Sequence, residues 1–296
     1  MIMLMETVIM YVILVVLGLV LGSFAGATLW RLRAKQLEAD KRDGEEVGSR
    51  EYKMLQPLLK TTMVDDRSRC LHCGHTLSWY DLIPLASWLS TKGKCRYCKK
   101  PIGWLEPVIE LTMAAFFVLS FSFWPEALTT VKGSLEFGLW LIAGVMLIIL
   151  FFYDLRWYLL PNRIVFPLIG VAMIMAVMNV TTAMDPWAAL ISLVFSGAIL
   201  SGIYLVLWAA SKGAWIGFGD VKLGLALALL LGQWPLAFVA LFAANIIGCL
   251  IVLPGMLSGK ITRKTRVPFG PLLIAGGFIA MLWGHQVVNL YFMALV

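Results

Sequence analysis

Long apolar runs separated by short polar segments make up most of this chain. Runs of about 20 residues, the length that crosses a hydrocarbon core about 30 Å thick, predict membrane-spanning helices. We predict eight such helices, near residues 8-30, 107-125, 136-153, 164-184, 187-210, 221-233, 234-256 and 268-292. The sixth and seventh come from one apolar run, which Gly232-Gln233-Trp234-Pro235 divides because proline cannot continue a helix. The sixth span is therefore predicted to be short.

Composition supports the same fold class. Hydrophobic residues make up 60% of the chain, charged residues 14%, and the mean hydropathy is +0.86. So few polar side chains could not cover a water-soluble surface, which predicts an all-α polytopic membrane protein of about eight transmembrane helices. The first apolar run is longer than the apolar core of a cleaved secretory signal, about 7–15 residues, so we expect it to be retained as a helix.

The net charge of +7 is unevenly distributed between the loops. Cytoplasmic loops of membrane proteins collect lysine and arginine. Here the basic residues lie in alternate loops, whereas Lys132 is alone in the loops between them. This pattern predicts both termini outside, contact with membrane lipids, and no nucleic-acid partner. The basic loops are 31-106, 154-163, 211-222, and 257-267 with Lys260, Arg263, Lys264 and Arg266.

Two aspartates are candidate catalytic residues. Asp154 follows the third apolar run and Asp220 precedes the sixth, so the charge pattern predicts both at the cytoplasmic face. Two carboxyl groups that share a site cannot both ionise cheaply, so one serves as an acid while the other activates water. This predicts aspartic protease chemistry without a metal. Gly217 and Gly219 flank Phe218, where glycine permits unusual backbone angles and close approach of another chain.

Each acidic residue also has a structural interpretation. Asp220 could be the N-cap of the following helix. Asp154 could be an interfacial charge balanced by Arg156. Asp185 precedes a proline in a short outer turn and is predicted to be a turn residue. For Glu110, inside the second span, we favour a structural role over binding of a basic ligand.

The polar loop contains two C-x-x-C motifs, and four thiolates with this spacing close a tetrahedral zinc site that folds a small segment. A disulfide framework is the rival interpretation, disfavoured because a cytoplasmic loop is in a reducing compartment. The nearby His72 and His75 are expected to be bystanders, and Cys249 to pack within the seventh span. The predicted ligands of a structural zinc ion are Cys70, Cys73, Cys95 and Cys98.

The chain therefore divides into three predicted parts. Residues 1-30 form the first transmembrane helix, and residues 107-296 form a membrane domain of seven helices that holds both aspartates. Between them lies a cytoplasmic domain, 31-106. It consists of a mobile or helical polar arm, 33-69, and a zinc module, 70-98.

Taken in order, the motifs resemble those of the bacterial type IV prepilin leader peptidases, aspartic membrane proteases of the G-x-G-D class. The similarity extends over nearly the whole chain. Asn162 departs from the pattern, in which an aspartate is usual. The residues that carry the resemblance are Gly22-Ser23-Phe24, Ile83-Pro84-Leu85-Ala86-Ser87-Trp88, Asp154 with Leu160-Pro161, Gly217-Phe218-Gly219-Asp220-Val221-Lys222-Leu223, and Pro268-Phe269-Gly270-Pro271.

The resemblance implies an enzyme of the bacterial cytoplasmic (inner) membrane. Asp154 and Asp220 would be its catalytic pair, with Gly217, Gly219 and Lys222 in the active-site loop. Its substrates would be prepilins or pseudopilins, cut after a glycine to remove a basic leader at the cytoplasmic face. Many family members also methylate the new N-terminal residue with S-adenosylmethionine, but no motif identifies the residues that would bind this cofactor.

Two alternative functions remain at this stage. A G-x-G-D protease similar to signal peptide peptidase would clear membrane helices, but it has no counterpart to the zinc module. A non-enzymatic membrane adaptor would use the zinc module to bind a partner, and its aspartates would only cap helices. Replacing either aspartate by asparagine separates these alternatives, since the adaptor would keep its function.

Overall fold

The computed structural model describes residues 2–59, 67–259 and 267–293. Within these ranges the chain is helical, and its only extended pairing consists of two isolated β-bridges. The helices are α1 (Ile2–Arg42), α2 (Ser49–Leu55), α3 (Ala86–Ser90), α4 (Leu105–Ser122), α5 (Val131–Trp157), α6 (Asn162–Thr181), α7 (Pro186–Gly197), α8 (Ile203–Ser211), α9 (Phe218–Leu231), α10 (Trp234–Leu257) and α11 (Phe269–Met293).

The predicted all-α membrane fold is confirmed. In the described part of the chain, seven helical stretches are long and apolar enough to cross a membrane. One of them joins α7 to α8 through a π-helical segment, Ala198–Gly202. The remaining predicted span is α9, which has 14 residues. At about 1.5 Å per residue it is about 21 Å long, shorter than the hydrocarbon core, as the sequence predicted.

The chain forms two compact units, Met1–Leu119 and Ser120–Val296. In the N-terminal unit, α1 does not end with the apolar run at Trp30 but continues to Arg42. The apolar pattern located the part of α1 expected in lipid, but helix formation depends on backbone propensity as well. The segment after Trp30 is rich in alanine, leucine, glutamate, lysine and arginine, all good helix formers.

The polar arm is partly ordered against α1. Arg33 forms an ion pair with Glu51 of α2 at 3.0 Å, and the Tyr52 hydroxyl donates to Glu38 at 2.7 Å. Leu55 at the end of α2 is only 1% exposed. The helical alternative therefore holds for much of the arm, but residues 60–66 lie outside the described residues. The predicted basic residues of the 257-267 loop, Lys260, Arg263, Lys264 and Arg266, also lie outside them.

Helices α1 and α4 approach closely through glycine. A Cβ atom added at Gly18 would lie 2.6 Å from the Ala114 Cα, and one added at Gly22 would lie 2.5 Å from the Glu110 Cα. Only the absence of a side chain allows this backbone separation, which is how small residues pack helices in membranes. Gly22 therefore has a packing role within the first-helix motif.

Helix α9 lies at the centre of the C-terminal unit. It contacts α6, α7, α8, α10, α11 and the π-helical segment. Nine of its residues, from Val221 to Leu231, are buried. A helix that is apolar on all sides must be surrounded by protein or lipid, and here the neighbouring helices surround it. It ends where predicted: Gly232 adopts a left-handed φ of +66°, and Pro235 lies in the first turn of α10.

Helices α10 and α11 pack through another glycine contact. A Cβ atom added at Gly276 of α11 would lie 2.2 Å from the Ala240 carbonyl oxygen of α10. At Gly170 of α6, by contrast, no atom of the described residues lies within 4 Å of an added Cβ. These two helical glycines therefore differ in packing but share the same conformational cost relative to alanine.

We predict that Gly276→Ala lowers the free energy of unfolding in detergent by about 1–3 kcal/mol, because the added methyl group forces α10 and α11 apart. Gly170→Ala is the matched control and should be neutral or stabilising by up to about 1 kcal/mol. Denaturant titration followed by tryptophan fluorescence measures both values. Equal effects of the two substitutions would contradict the close-packing interpretation of Gly276.

Candidate functional site

Asp154 lies in the last turn of α5 and is 5% exposed. Its Oδ2 atom accepts a hydrogen bond from the backbone N–H of Gly270, at 3.0 Å. Tyr158 ends the helix in the left-handed conformation, and its N–H donates to the Asp154 carbonyl at 2.8 Å. The Asp154 side chain is thus held inside the helical bundle, so the interpretation of Asp154 as an interfacial charge directed toward water is wrong.

Gly270 is required by the position of this carboxyl group. A Cβ atom at residue 270 would lie 2.7 Å from Asp154 Oδ2 and 3.4 Å from a methyl carbon of Leu160. The first of these distances is shorter than van der Waals contact, so alanine would displace the carboxyl group or the start of α11. The Pro268-Phe269-Gly270-Pro271 motif therefore supplies both a donor and the space for Asp154.

Asp220 lies in the first turn of α9 and is half-buried. Its N-cap interpretation is wrong, because the N-cap is Gly217 and Asp220 is the third helical residue. At this position the carboxylate interacts favourably with the helix dipole. Leu160 packs against both Gly219, the neighbour of Asp220, and Gly270, which contacts Asp154, so the fold brings the two predicted aspartates into one site within the C-terminal unit.

Two roles were expected for the glycines around Phe218, unusual backbone angles and close approach of another segment. Gly217 has extended backbone angles, φ −74° and ψ 147°, and Gly219 is also outside the left-handed region. Unusual backbone angles therefore do not explain these glycines. A Cβ atom added at Gly219 would lie 3.1 Å from the Leu160 Cβ, so Gly219 allows close approach of the Leu160-Pro161 segment.

Lys222 lies one turn inside α9 and points toward the start of α6. Its Nζ atom donates to the Asn162 side-chain oxygen. The ammonium group also lies 5.5 Å from the ring centroids of Phe166 and Phe218, within the range of cation–π attraction. The family that the sequence resembles usually has an aspartate at this position. Asn162 can accept the same hydrogen bond but carries no negative charge.

Tyr204 is a buried residue near Asp220 that no sequence motif marks. It is the second residue of α8, is 3% exposed, and interacts electrostatically with Asp220. Its ring meets that of Phe269 edge to face, with centroids 5.2 Å apart. In the sequence, Tyr204 differs from its apolar neighbours only by its hydroxyl group. Tyrosines in apolar runs often have no catalytic role, so this difference does not identify a site residue.

The four predicted cysteine ligands also come together, in the N-terminal unit. Their sulfur atoms all lie within 4.8 Å of one another, and the Sγ atoms of Cys70 and Cys98 are 3.9 Å apart. A tetrahedral zinc site with Zn–S distances of about 2.3 Å has sulfur–sulfur separations of about 3.8 Å. The cluster therefore fits a metal ion. Neither His72 nor His75 belongs to it, and all five cysteines of the described chain are free thiols, which contradicts the disulfide alternative.

The two cysteine motifs have matching backbone structures. The N–H groups of Cys70 and Cys95 donate to the carbonyls of His75 and Lys100, at 2.9 and 2.8 Å. An isolated antiparallel bridge flanks each motif. The residue after each second cysteine, Gly74 or Lys99, is left-handed, with φ of 71° or 60°. Paired loops of this kind direct two thiols each toward one point.

The pKa values of two of the clustered thiols, Cys70 and Cys95, are shifted in opposite directions. Burial raises the pKa of Cys70 to about 12. At Cys95 the effect of burial is outweighed by hydrogen bonds from the backbone amides of Cys98 and Tyr97, which lower the pKa to about 7. Since metal binding requires thiolates, a bound cation would have to overcome the cost of ionising Cys70.

Asp81 connects the second cysteine motif to the loop between the two motifs. Its carboxylate accepts hydrogen bonds from Arg96 at 2.8 Å and Tyr97 at 3.1 Å. Burial alone would raise the pKa of Asp81, but the hydrogen bonds from Arg96, Ser78 and Tyr97 outweigh it and lower the pKa. Asp81 is therefore a structural anchor of the cysteine module.

Three other candidate residues have structural roles. Glu110 is buried and accepts the Leu85 N–H at 2.9 Å, which agrees with the structural role favoured for it. Asp185 caps α7 by accepting the N–H groups of Trp187 and Ala188. Cys249 was expected to pack within the seventh span. It lies in that span, α10, but is exposed, because the apolar surface of a membrane helix can face lipid as well as protein.

Comparison with protein families gives two matches that together extend over most of the chain. Residues 16–124 match the bacterial peptidase A24 N-terminal domain. Residues 141–253 match the type IV leader peptidase family. The first match includes all four clustered cysteines, and the second includes both Asp154 and Asp220. No solved structure matches the chain.

Curated relatives agree with these matches. The Pseudomonas aeruginosa prepilin leader peptidase/N-methyltransferase is 29% identical over 280 residues, which cover 94% of this chain and 91% of that protein. The Bacillus subtilis protein of the same name is 31% identical over 233 residues, covering 79% of this chain and 88% of the relative. The relationship thus extends through both units, and the chain is an enzyme that belongs to the type IV leader peptidase family.

Proposed function

We propose that this protein is an aspartic endopeptidase that removes the leader peptide of prepilins or pseudopilins. The observation that carries the proposal is the placement of Asp154 and Asp220 in one partly buried site, although 66 positions separate them in the sequence. The names of the relatives, prepilin leader peptidase/N-methyltransferase, support this substrate class.

The two carboxyl groups account for peptide hydrolysis without a metal. One aspartate removes a proton from water, and the resulting hydroxide attacks the scissile carbonyl carbon. The other aspartate gives its proton to the departing amine as the tetrahedral intermediate breaks down, so both protons are accounted for. The N–H of Gly270 fixes one oxygen of Asp154, which restricts the rotation of that carboxyl group before substrate binds.

The proposed cleavage position is the glycine before the mature N-terminus, at the cytoplasmic face of the bacterial inner membrane. Its support is the concentration of lysine and arginine in alternate loops. This pattern favours a cytoplasmic position for the ends of α5 and α9 that carry the aspartates, and an outside position for both termini. A basic leader would then stay near anionic lipid head groups, while the apolar helix of the substrate lies among the spans.

We also propose that the four-cysteine cluster holds a structural zinc ion. Four thiolates leave no open coordination position, so the ion would fold residues 70-98 instead of activating water. Cleavage chemistry would remain with the aspartates of the C-terminal unit.

The relatives' names support a second activity, methylation of the new N-terminal amine with S-adenosylmethionine as the methyl donor. The described residues contain no glycine-rich nucleotide loop that identifies a site for this cofactor, so we assign no residue and no step to it. The two rival functions, a protease similar to signal peptide peptidase and a non-enzymatic adaptor, lack this support from the relatives.

We expect Asp154→Asn and Asp220→Asn each to slow cleavage by about 1000-fold, because each amide keeps the size of the side chain but cannot transfer the proton. The assay incubates membranes with a prepilin that carries a basic leader, a Gly-Phe junction and an apolar helix, and mass spectrometry identifies the product. A mass increment of 14 Da on the product tests methylation.

Asp185→Asn is the matched control, since asparagine caps helices as well as aspartate and Asp185 lies outside the site. It should cleave at the rate of the wild type. Normal cleavage by either active-site variant would refute the catalytic pair. Failure of the wild type to cut any prepilin would favour the adaptor or the helix-clearing protease.

We predict that Gly270→Ala reduces the cleavage rate by roughly 100-fold, because a Cβ atom 2.7 Å from Asp154 Oδ2 displaces the carboxyl group. Gly138→Ala in α5 is the control, since among the described atoms none lies within 4 Å of its added Cβ. Initial rates for the two variants at equal amounts of folded protein measure the difference. A Gly270→Ala enzyme with normal kinetics would show that the Gly270 contact does not position Asp154.

Purified protein should contain one zinc ion per chain by elemental analysis. Cys73→Ser and Cys95→Ser should each lose it, whereas Cys249→Ser should retain it, because Cys249 lies outside the cluster. A chelator should reduce cleavage only as the module unfolds. Immediate loss of cleavage in protein that is still folded would show instead that the metal takes part in the chemistry.

A further inference from the structure

A row of contacts between two antiparallel helical segments leads to Asp220. The Ser196 hydroxyl of α7 donates to the Ala228 carbonyl of α9, at 3.1 Å. Four residues further along, the Leu200 carbonyl lies where a Cβ atom of Gly224 would be, at 1.9 Å. Four residues after Leu200 is Tyr204, and four residues before Gly224 is Asp220. Tyr204 is thus the next residue of this row, opposite the aspartate.

The π-helical segment keeps these residues on one face. In an α-helix four residues turn through about 400°, so positions spaced by four drift around the axis by about 40° at each step. A π-helical segment has wider turns and corrects this drift. Ala198–Gly202 provides the correction just before Tyr204, and the Ser201 hydroxyl joins this segment to the Val221 carbonyl at 3.0 Å.

The ring of Tyr204 is fixed, but its hydroxyl is not used by the fold. The ring packs edge to face on Phe269, whose neighbour Gly270 donates to Asp154. Throughout residues 2–59, 67–259 and 267–293, the buried Tyr204 oxygen has no hydrogen-bond partner. A buried hydroxyl without a partner costs free energy that phenylalanine would avoid, so fold stability alone does not explain its presence.

We propose that Tyr204 is a further catalytic residue, whose hydroxyl donates a hydrogen bond to the scissile carbonyl oxygen as that oxygen gains negative charge. This inference rests on the proposed peptidase function. When hydroxide adds to the carbonyl carbon, the electron pair of the C=O bond moves to oxygen, and Tyr204 stabilises this oxyanion while keeping its own proton. The Gly270 N–H cannot serve this purpose because it already donates to Asp154.

The test compares Tyr204→Phe, which removes only the hydroxyl, with Tyr291→Phe, which removes a tyrosine hydroxyl far along α11. Tyr204→Phe should lower kcat for prepilin cleavage on the order of 100-fold, the typical effect of losing one oxyanion donor, with little change in KM. Its thermal stability should equal or exceed that of the wild type. Tyr291→Phe should match the wild type in kcat and KM.

A second measurement separates the transition state from the ground state. A peptide whose scissile amide is replaced by a hydroxyethylene group places a hydroxyl where the oxyanion forms. Tyr204→Phe should bind this peptide about tenfold more weakly than wild type. In the Asp220→Asn background, which does not cut, the same substitution should leave the affinity for intact prepilin unchanged.

The outcomes distinguish this inference from the function on which it rests. Normal kcat in Tyr204→Phe, an effect on KM alone, or a loss of activity that merely follows a loss of stability would each overturn the role of Tyr204. Those results would leave the peptidase intact if the wild type cuts and the aspartate variants do not. If the aspartate variants also cut normally, the proposed function itself fails.

Discussion

The burial of the Asp154 carboxyl group is the constraint on which the C-terminal unit depends. A carboxylate inside an apolar helical bundle is costly unless a polar group compensates it. Gly270 supplies a backbone N–H at 3.0 Å, and this approach is possible only because residue 270 has no side chain. The start of α11 is therefore tied to the end of α5, although 116 residues separate the two partners.

The same constraint explains the unusual character of α9. A helix that carries the second carboxyl group to the first must lie inside the bundle, so its remaining positions are apolar or small. Gly224 lets the π-helical segment approach to backbone contact, and Gly219 makes room for Leu160. The same constraint accounts for the short length of α9. Its first turn holds Asp220 at the site, and Gly232 ends the helix after 14 residues.

Sequence patterns predicted the features that depend on local chemistry. Apolar runs located the spans, Gly232 and Pro235 located the break between α9 and α10, and the cysteine spacing predicted the cluster. The sequence left the arm mobile or helical and did not predict that α1 continues into it without a break, because an apolar pattern records burial or lipid contact, not helix propensity.

The contact of Gly270 with Asp154 and the proposed role of Tyr204 could not be predicted, because each depends on residues from other helices. For Gly219 the sequence left two reasons open, since close approach looks the same in sequence as conformational freedom, and the contact with Leu160 favours close approach. A glycine in one chain alone does not reveal which of the two it serves. The Asp220 N-cap was a reasonable alternative for the same reason, because only the helix start at Phe218 shows that the carboxylate lies inside the first turn.

The division into two units separates the two kinds of chemistry in this chain. Both aspartates, Gly270 and Tyr204 belong to Ser120–Val296, whereas the four clustered cysteines belong to Met1–Leu119. The proposed hydrolysis needs proton transfer between Asp154 and Asp220, which both lie in the C-terminal unit. A metal held by the cysteines is then not required for the proposed proton transfers. Its effect on the reaction would be exerted through the folding of its own unit, and so through the presentation of substrate or through the second activity.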